Sequence, residues 1–173
     1  MDIHPILVHF PIALLTLYVI FECVKFKDKA FEKVKLVFLS IGTFFAWLSL
    51  QTGDFAAEKK RGADMLVKKT LHLHENFAGL TTGLFLFILI LYVIDYIESR
   101  DGKIKNYLHN SKVGFIWNII LKVQKVLFKR WLIILVALAG LVAVFLTGTF
   151  GAIMVYGKGI DMITGFVYRV FVQ

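Results

Sequence analysis

HPILVHFPIALL, His4 to Leu15, sets two histidines and two prolines at the mouth of a long apolar run. Pro5 suits the first turn of a helix, where its missing N–H would have found no partner anyway. Pro11 lies about two turns further in, so it removes a backbone bond and presses on the carbonyl of Leu7. That distortion falls beside His9, at the depth where a membrane begins. An imidazole there is costly unless it is paired, wetted or ligating.

The run is the first of four, each near the roughly 20 residues that a bilayer needs. They cover about residues 5–24, 35–55, 71–94 and 131–155. With 58% apolar residues and a mean hydropathy of +0.75, the chain reads as a polytopic membrane protein. The expected fold is all-α, an integral membrane four-helix up-down bundle forming a single membrane domain over residues 1–173. The N-terminus lacks a basic start and its apolar run is long enough to span, so it reads as a span and not as a cleavable signal.

The formal charge of +8 does not point to nucleic acid, because the basic residues sit at the ends of apolar runs, where topology places them. Thirteen of the 20 Lys and Arg residues fall in the first and third connections, Lys25–Lys35 and Asp95–Arg130. The other seven (Lys59, Lys60, Arg61, Lys68, Lys69, Lys158 and Arg169) fall on the opposite side. Positive-inside then predicts both termini outside the cytoplasm. Cys23 is the only cysteine, which excludes an internal disulfide, a cysteine-ligated iron–sulfur cluster and a CxxCH haem attachment.

The third connection carries an amphipathic interfacial helix over about residues 113–128, between spans three and four. Val113, Ile116, Trp117, Ile120, Val123 and Leu127 share one face, opposite Asn118, Lys122, Lys125 and Lys129. It is either a docking surface for anionic lipid or a partner, or a plain anchor between the two spans. The tail, Tyr156–Gln173, is apolar but too short to span, and is expected to pack at the outer interface or on a partner chain. Phe166, Tyr168, Val170 and Phe171 have no obvious place in a four-helix core.

This orientation gathers four of the five histidines, His4, His9, His72 and His74, on the outer side, with Thr52, Asp54, Glu58, Glu75, Asn76 and Thr147; His109 alone is on the other. At about 100° per residue, His72 shares a face with Glu75, Asn76, Gly79 and Gly83, while His74 points about 200° away, toward lipid. His9 shares a face with Ala13, Thr16 and Ile20. Stripes of small residues (Gly42, Ala46, Ser49, Gly53; Gly140, Ala143, Thr147, Gly151) read as close helix packing, or as room for something flat. Helices one and three stand on a diagonal of roughly 12–14 Å, about the reach of two imidazoles on one iron. A b-type haem with His9 and His72 as axial ligands is one reading, with His4 and His74 as alternatives or supporting groups and Arg61, Lys68 or Lys69 near the propionates. A bare polar pocket is another. The histidines lack a tight i,i+4 spacing for copper or zinc, and no Ser-His-Asp arrangement, P-loop or GxGxxG is present. A non-catalytic role is therefore expected.

HPILVHFPIALL, TGDFA closing helix two (Thr52–Ala56), a histidine opening helix three and LTGTFGAIMVYGKGI (Leu146–Ile160) together resemble the family called domain of unknown function 2231. The resemblance covers nearly the whole chain. It implies a bacterial inner-membrane protein. Because relatives occur joined to Rieske or cytochrome c domains, it also implies electron transfer in a membrane redox complex with a b-type haem. Lys158 stands where many relatives carry a histidine. The expected function is a haem-bearing electron-transfer subunit with lipid and other redox subunits as partners; the alternative is a cofactor-free anchor or assembly subunit of such a complex.

Overall fold

A computed structural model describes residues 3–24, 28–58, 64–99, 102–110, 114–157 and 161–173. They form eight helices: α1 (His4–Leu7), α2 (His9–Cys23), α3 (Lys29–Glu58), α4 (Met65–Ser99), α5 (Lys103–Asn110), α6 (Gly114–Leu127), α7 (Arg130–Tyr156) and α8 (Met162–Phe171). Four spans, α1–α2, α3, α4 and α7, are long and apolar enough to cross a membrane. The all-α four-span architecture expected from the apolar runs is the one observed.

The first span is broken where Pro11 demands it. With no N–H at Pro11, the Leu7 carbonyl loses its helical donor, and the assigned helix pauses at Val8. Val8 keeps helical angles (φ −65°, ψ −21°), so α1 and α2 run on as one span. The helix ends extend well past the expected spans: α4 has 35 residues, about 50 Å at 1.5 Å per residue, against a hydrocarbon layer of about 30 Å.

α2 packs on α3 and α7, and α4 packs on the same two, which leaves α2 and α4 on a diagonal. They meet across the centre through Tyr18 and Phe85, edge to face at 6.0 Å. Leu15, Val19, Leu39, Ile88, Ile133 and Ala137 complete that core. Two glycines permit close approach. A Cβ on Gly42 would come within 2.7 Å of Leu15, and one on Gly140 within 2.8 Å of the Phe85 ring. Gly79 and Gly83 face open space, so among the described residues the small-residue face of α4 is not a packing face.

The tail is better anchored than its composition foretold. Asp161 caps α8 by accepting from the Thr164 amide at 2.8 Å, and Thr164 reciprocates. Val167 and Val172 are buried against Phe150 and Ile153 in a second core. Phe171 sets its edge on Phe77 and Phe150, and Lys69 donates to the Val172 carbonyl. Tyr168 packs against that core and Phe171 touches it while staying 38% exposed, whereas Phe166 and Val170 are exposed.

Candidate functional site

The up-down topology brings His4, His9, His72 and His74 to one end, with His109 at the other, where it bonds Glu98 at 3.1 Å. Within the histidine end the four rings divide into two pairs.

His4 reaches from α1 to α3, its Nδ1 lying 3.1 Å from Thr52 Oγ1. The Thr52 hydroxyl also lies within reach of the Leu48 and Ser49 carbonyls, and when its single hydrogen goes to either of them the Nδ1–H of His4 is the donor. His74 reaches from α4 to α7 and donates from Nδ1 to the Thr147 carbonyl at 2.8 Å. Both rings lie over glycines: a Cβ on Gly53 would come 3.2 Å from the His4 ring, and one on Gly151 would come 3.5 Å from the His74 ring. The small-residue stripes of α3 and α7 receive Leu15 and Phe85 at Gly42 and Gly140, and at the histidine end they receive these two imidazoles at Gly53 and Gly151.

His9 and His72 face outward instead. Both are exposed, His9 donating to the Pro5 carbonyl at 2.6 Å and His72 accepting from Asn76 Nδ2 at 3.0 Å, each on its own helix. The helical-phase expectation is thus corrected: His74 points into the bundle, and His72 points out with Glu75, Asn76, Gly79 and Gly83. The inward face of α4 is Thr81, Thr82, Phe85, Ile88 and Leu91, all buried. The side chains of Asp54 and Glu58, and Lys59, Lys60, Arg61 and Lys158 entirely, lie outside the described residues.

These positions decide which residues suit an iron-bound haem. His9 and His72 do not fit as a pair, since each ring turns away from the bundle and is tied to its own helix. His4 and His74 do fit in donor chemistry. A histidine whose Nδ1–H is held by a protein acceptor has its tautomer and ring plane set for ligation through Nε2. A groove of about 740 Å³ lies elsewhere: it opens between α2 and α7 beside α8, is lined by Ile12, Thr16, Phe145, Gly148 and Ala152 among others, and has no histidine in its wall. Among the described residues no three His, Cys, Asp or Glu side chains gather as a metal centre.

A second polar site, which the sequence reading missed, ties four helices at the opposite end. Glu22 of α2 is 3% exposed and accepts from Lys35 of α3 at 3.1 Å and from the Tyr92 hydroxyl of α4 at 2.9 Å. Arg130 of α7 donates to the Glu22 main-chain carbonyl at 3.1 Å. Lys35 also pairs with Glu32 at 2.7 Å and lies over the Tyr92 ring, 5.3 Å from its centre. The available signal was a single carboxylate and a single lysine inside apolar runs, each expensive in lipid unless it finds a partner.

A family model described as a predicted membrane protein, DUF2231, matches residues 1–164. The chain belongs to the DUF2231 family. The match takes in all four spans and both polar ends, so the family's extent coincides with the bundle and the start of α8. No curated protein and no solved structure matches the chain.

Proposed function

We propose that this DUF2231 protein is an electron-transfer subunit of a membrane redox complex, with a b-type haem held at the histidine end by His4 and His74. One observation carries the reading: two inward imidazoles on diagonally placed spans, at the same end, each with Nδ1 held by a protein oxygen. A haem supplies a one-electron carrier when bound. The chain's own residues do the positioning. Thr52 and the Thr147 carbonyl hold Nδ1 of the two rings and so orient them, and Nε2 is the nitrogen that would bind the iron. Gly53 and Gly151 let the rings lie close to α3 and α7. The apolar spans beside them would lower the dielectric about a bound haem and so tune its potential.

With positive-inside orientation this end faces the outside of a bacterial inner membrane, on the side of a cytochrome c or Rieske partner. The test is a reduced-minus-oxidised optical spectrum of protein purified gently from haem-supplied cells. A low-spin b-type spectrum, with haem extractable into acidified acetone, is expected, because Cys23 offers no covalent attachment. A colourless preparation overturns the proposal in favour of the cofactor-free anchor.

A further inference from the structure

Among the described residues, α6 is pinned by one face and unpartnered on another. Trp117, Leu121 and Gln124 are buried, and the helix packs against α4. The expected single apolar face is therefore split, because Trp117 turns to the bundle. Phe115, Ile116, Ile119, Ile120, Val123 and Val126 point outward, Phe115 76% exposed and Val126 58%. Lys122 and Lys125 are exposed and flank that stripe on one side. Only Phe128 and Lys129 separate α6 from α7, so the stripe lies at the boundary where the fourth span enters its membrane. This end of the chain also carries thirteen of the 20 basic residues against six acidic ones, Glu22, Asp28, Glu32, Asp95, Glu98 and Asp101.

We infer that α6 docks on the headgroup layer of its own leaflet and selects anionic phospholipid. The stripe supplies the insertion: six large apolar side chains along about 17 Å of helix reach the level of the first acyl carbons. The lysines supply the selection, since their stems can follow the apolar surface while the ammonium groups meet phosphates. A basic residue at an anionic surface changes affinity by about fivefold. The six outward side chains need a cover, and charge complementarity identifies it as an anionic bilayer and not a neutral one. This inference is independent of any cofactor at the opposite end.

The test is hydrogen exchange of the full chain in nanodiscs of phosphatidylcholine, with and without about one-third phosphatidylglycerol. Amides of residues 114–127 should exchange several-fold more slowly with the anionic lipid. Lys122→Gln/Lys125→Gln should lose most of that difference. Arg169→Gln, an exposed change at the other end of the bundle, should keep it. Equal exchange in both lipids overturns the inference, and so does a difference that survives the double lysine change. Protection that appears only when another protein copurifies also overturns it, by assigning the stripe to a protein partner.

Discussion

His74 gives its Nδ1 proton to the Thr147 carbonyl, 2.8 Å away across the seam between α4 and α7. A buried main-chain carbonyl in a helix normally serves the amide four residues on, so a second donor is an added bond that fixes the imidazole plane. His4 and Thr52 make the equivalent tie between α1 and α3. The two ties lie at one end of the bundle, one in the α1–α3 seam and one in the α4–α7 seam, and the electron-transfer proposal rests on them.

The opposite end should behave as a clasp. Glu22→Ala leaves Lys35, 5% exposed, with only the half-exposed Glu32 as counter-ion, and should cost up to about 3–5 kcal/mol. Glu22→Leu with Lys35→Met removes both charges and should recover most of that loss. Unfolding in mixed micelles measures both variants. A single change no worse than the double one would show that the ion pair carries no weight in stability.

Glycine substitutions separate packed faces from open ones. Gly140→Ala drives a methyl to within 2.8 Å of the fully buried Phe85 ring, which cannot retreat, and should cost about 1–3 kcal/mol. Gly83→Ala meets nothing within 4 Å and should change stability by no more than about 0.5 kcal/mol. Melting midpoints of the two variants in detergent give the comparison. Equal losses would mean that α4 uses its glycine face for contacts of its own.

Orientation is open to direct labelling. In a Cys23→Ser background, cysteine at Met65, 86% exposed at the histidine end, should react with an impermeant maleimide in right-side-out membrane vesicles. Cysteine at Tyr107, 70% exposed at the other end, should react only after the vesicles are opened. The reverse pattern would place the histidines in the cytoplasm and exclude an outer partner.

Much of the fold was legible because lipid imposes a length rule: four apolar runs near 20 residues gave four spans, and Pro11 marked the break at Val8. The inward faces were harder to read. Along α4 the lipid side and the protein side are both apolar, so hydrophobic periodicity cannot tell them apart. Small and polar residues are the remaining sign of an inner face, and they predict His72 inward and His74 outward. At the end of a long helix, however, His72, Glu75 and Asn76 can face headgroups and water at no cost, while Thr81, Phe85 and Ile88 fill the core. Glu22 and Lys35 were missed for a related reason. Each sits near the edge of its apolar run, and only tertiary packing brings them to 3.1 Å.

The measurement that tests the central claim most directly is the low-temperature electron paramagnetic resonance spectrum of purified wild-type protein and four single variants. The account predicts a low-spin bis-histidine signal in the wild type that persists in His9→Ala and His72→Ala, whose rings are exposed and tied to their own helices. The same signal should vanish in His4→Ala and in His74→Ala, each of which loses one inward ring. A low-spin signal that survives both inward changes, or that disappears with His72, would contradict the assignment of His4 and His74 as the axial pair.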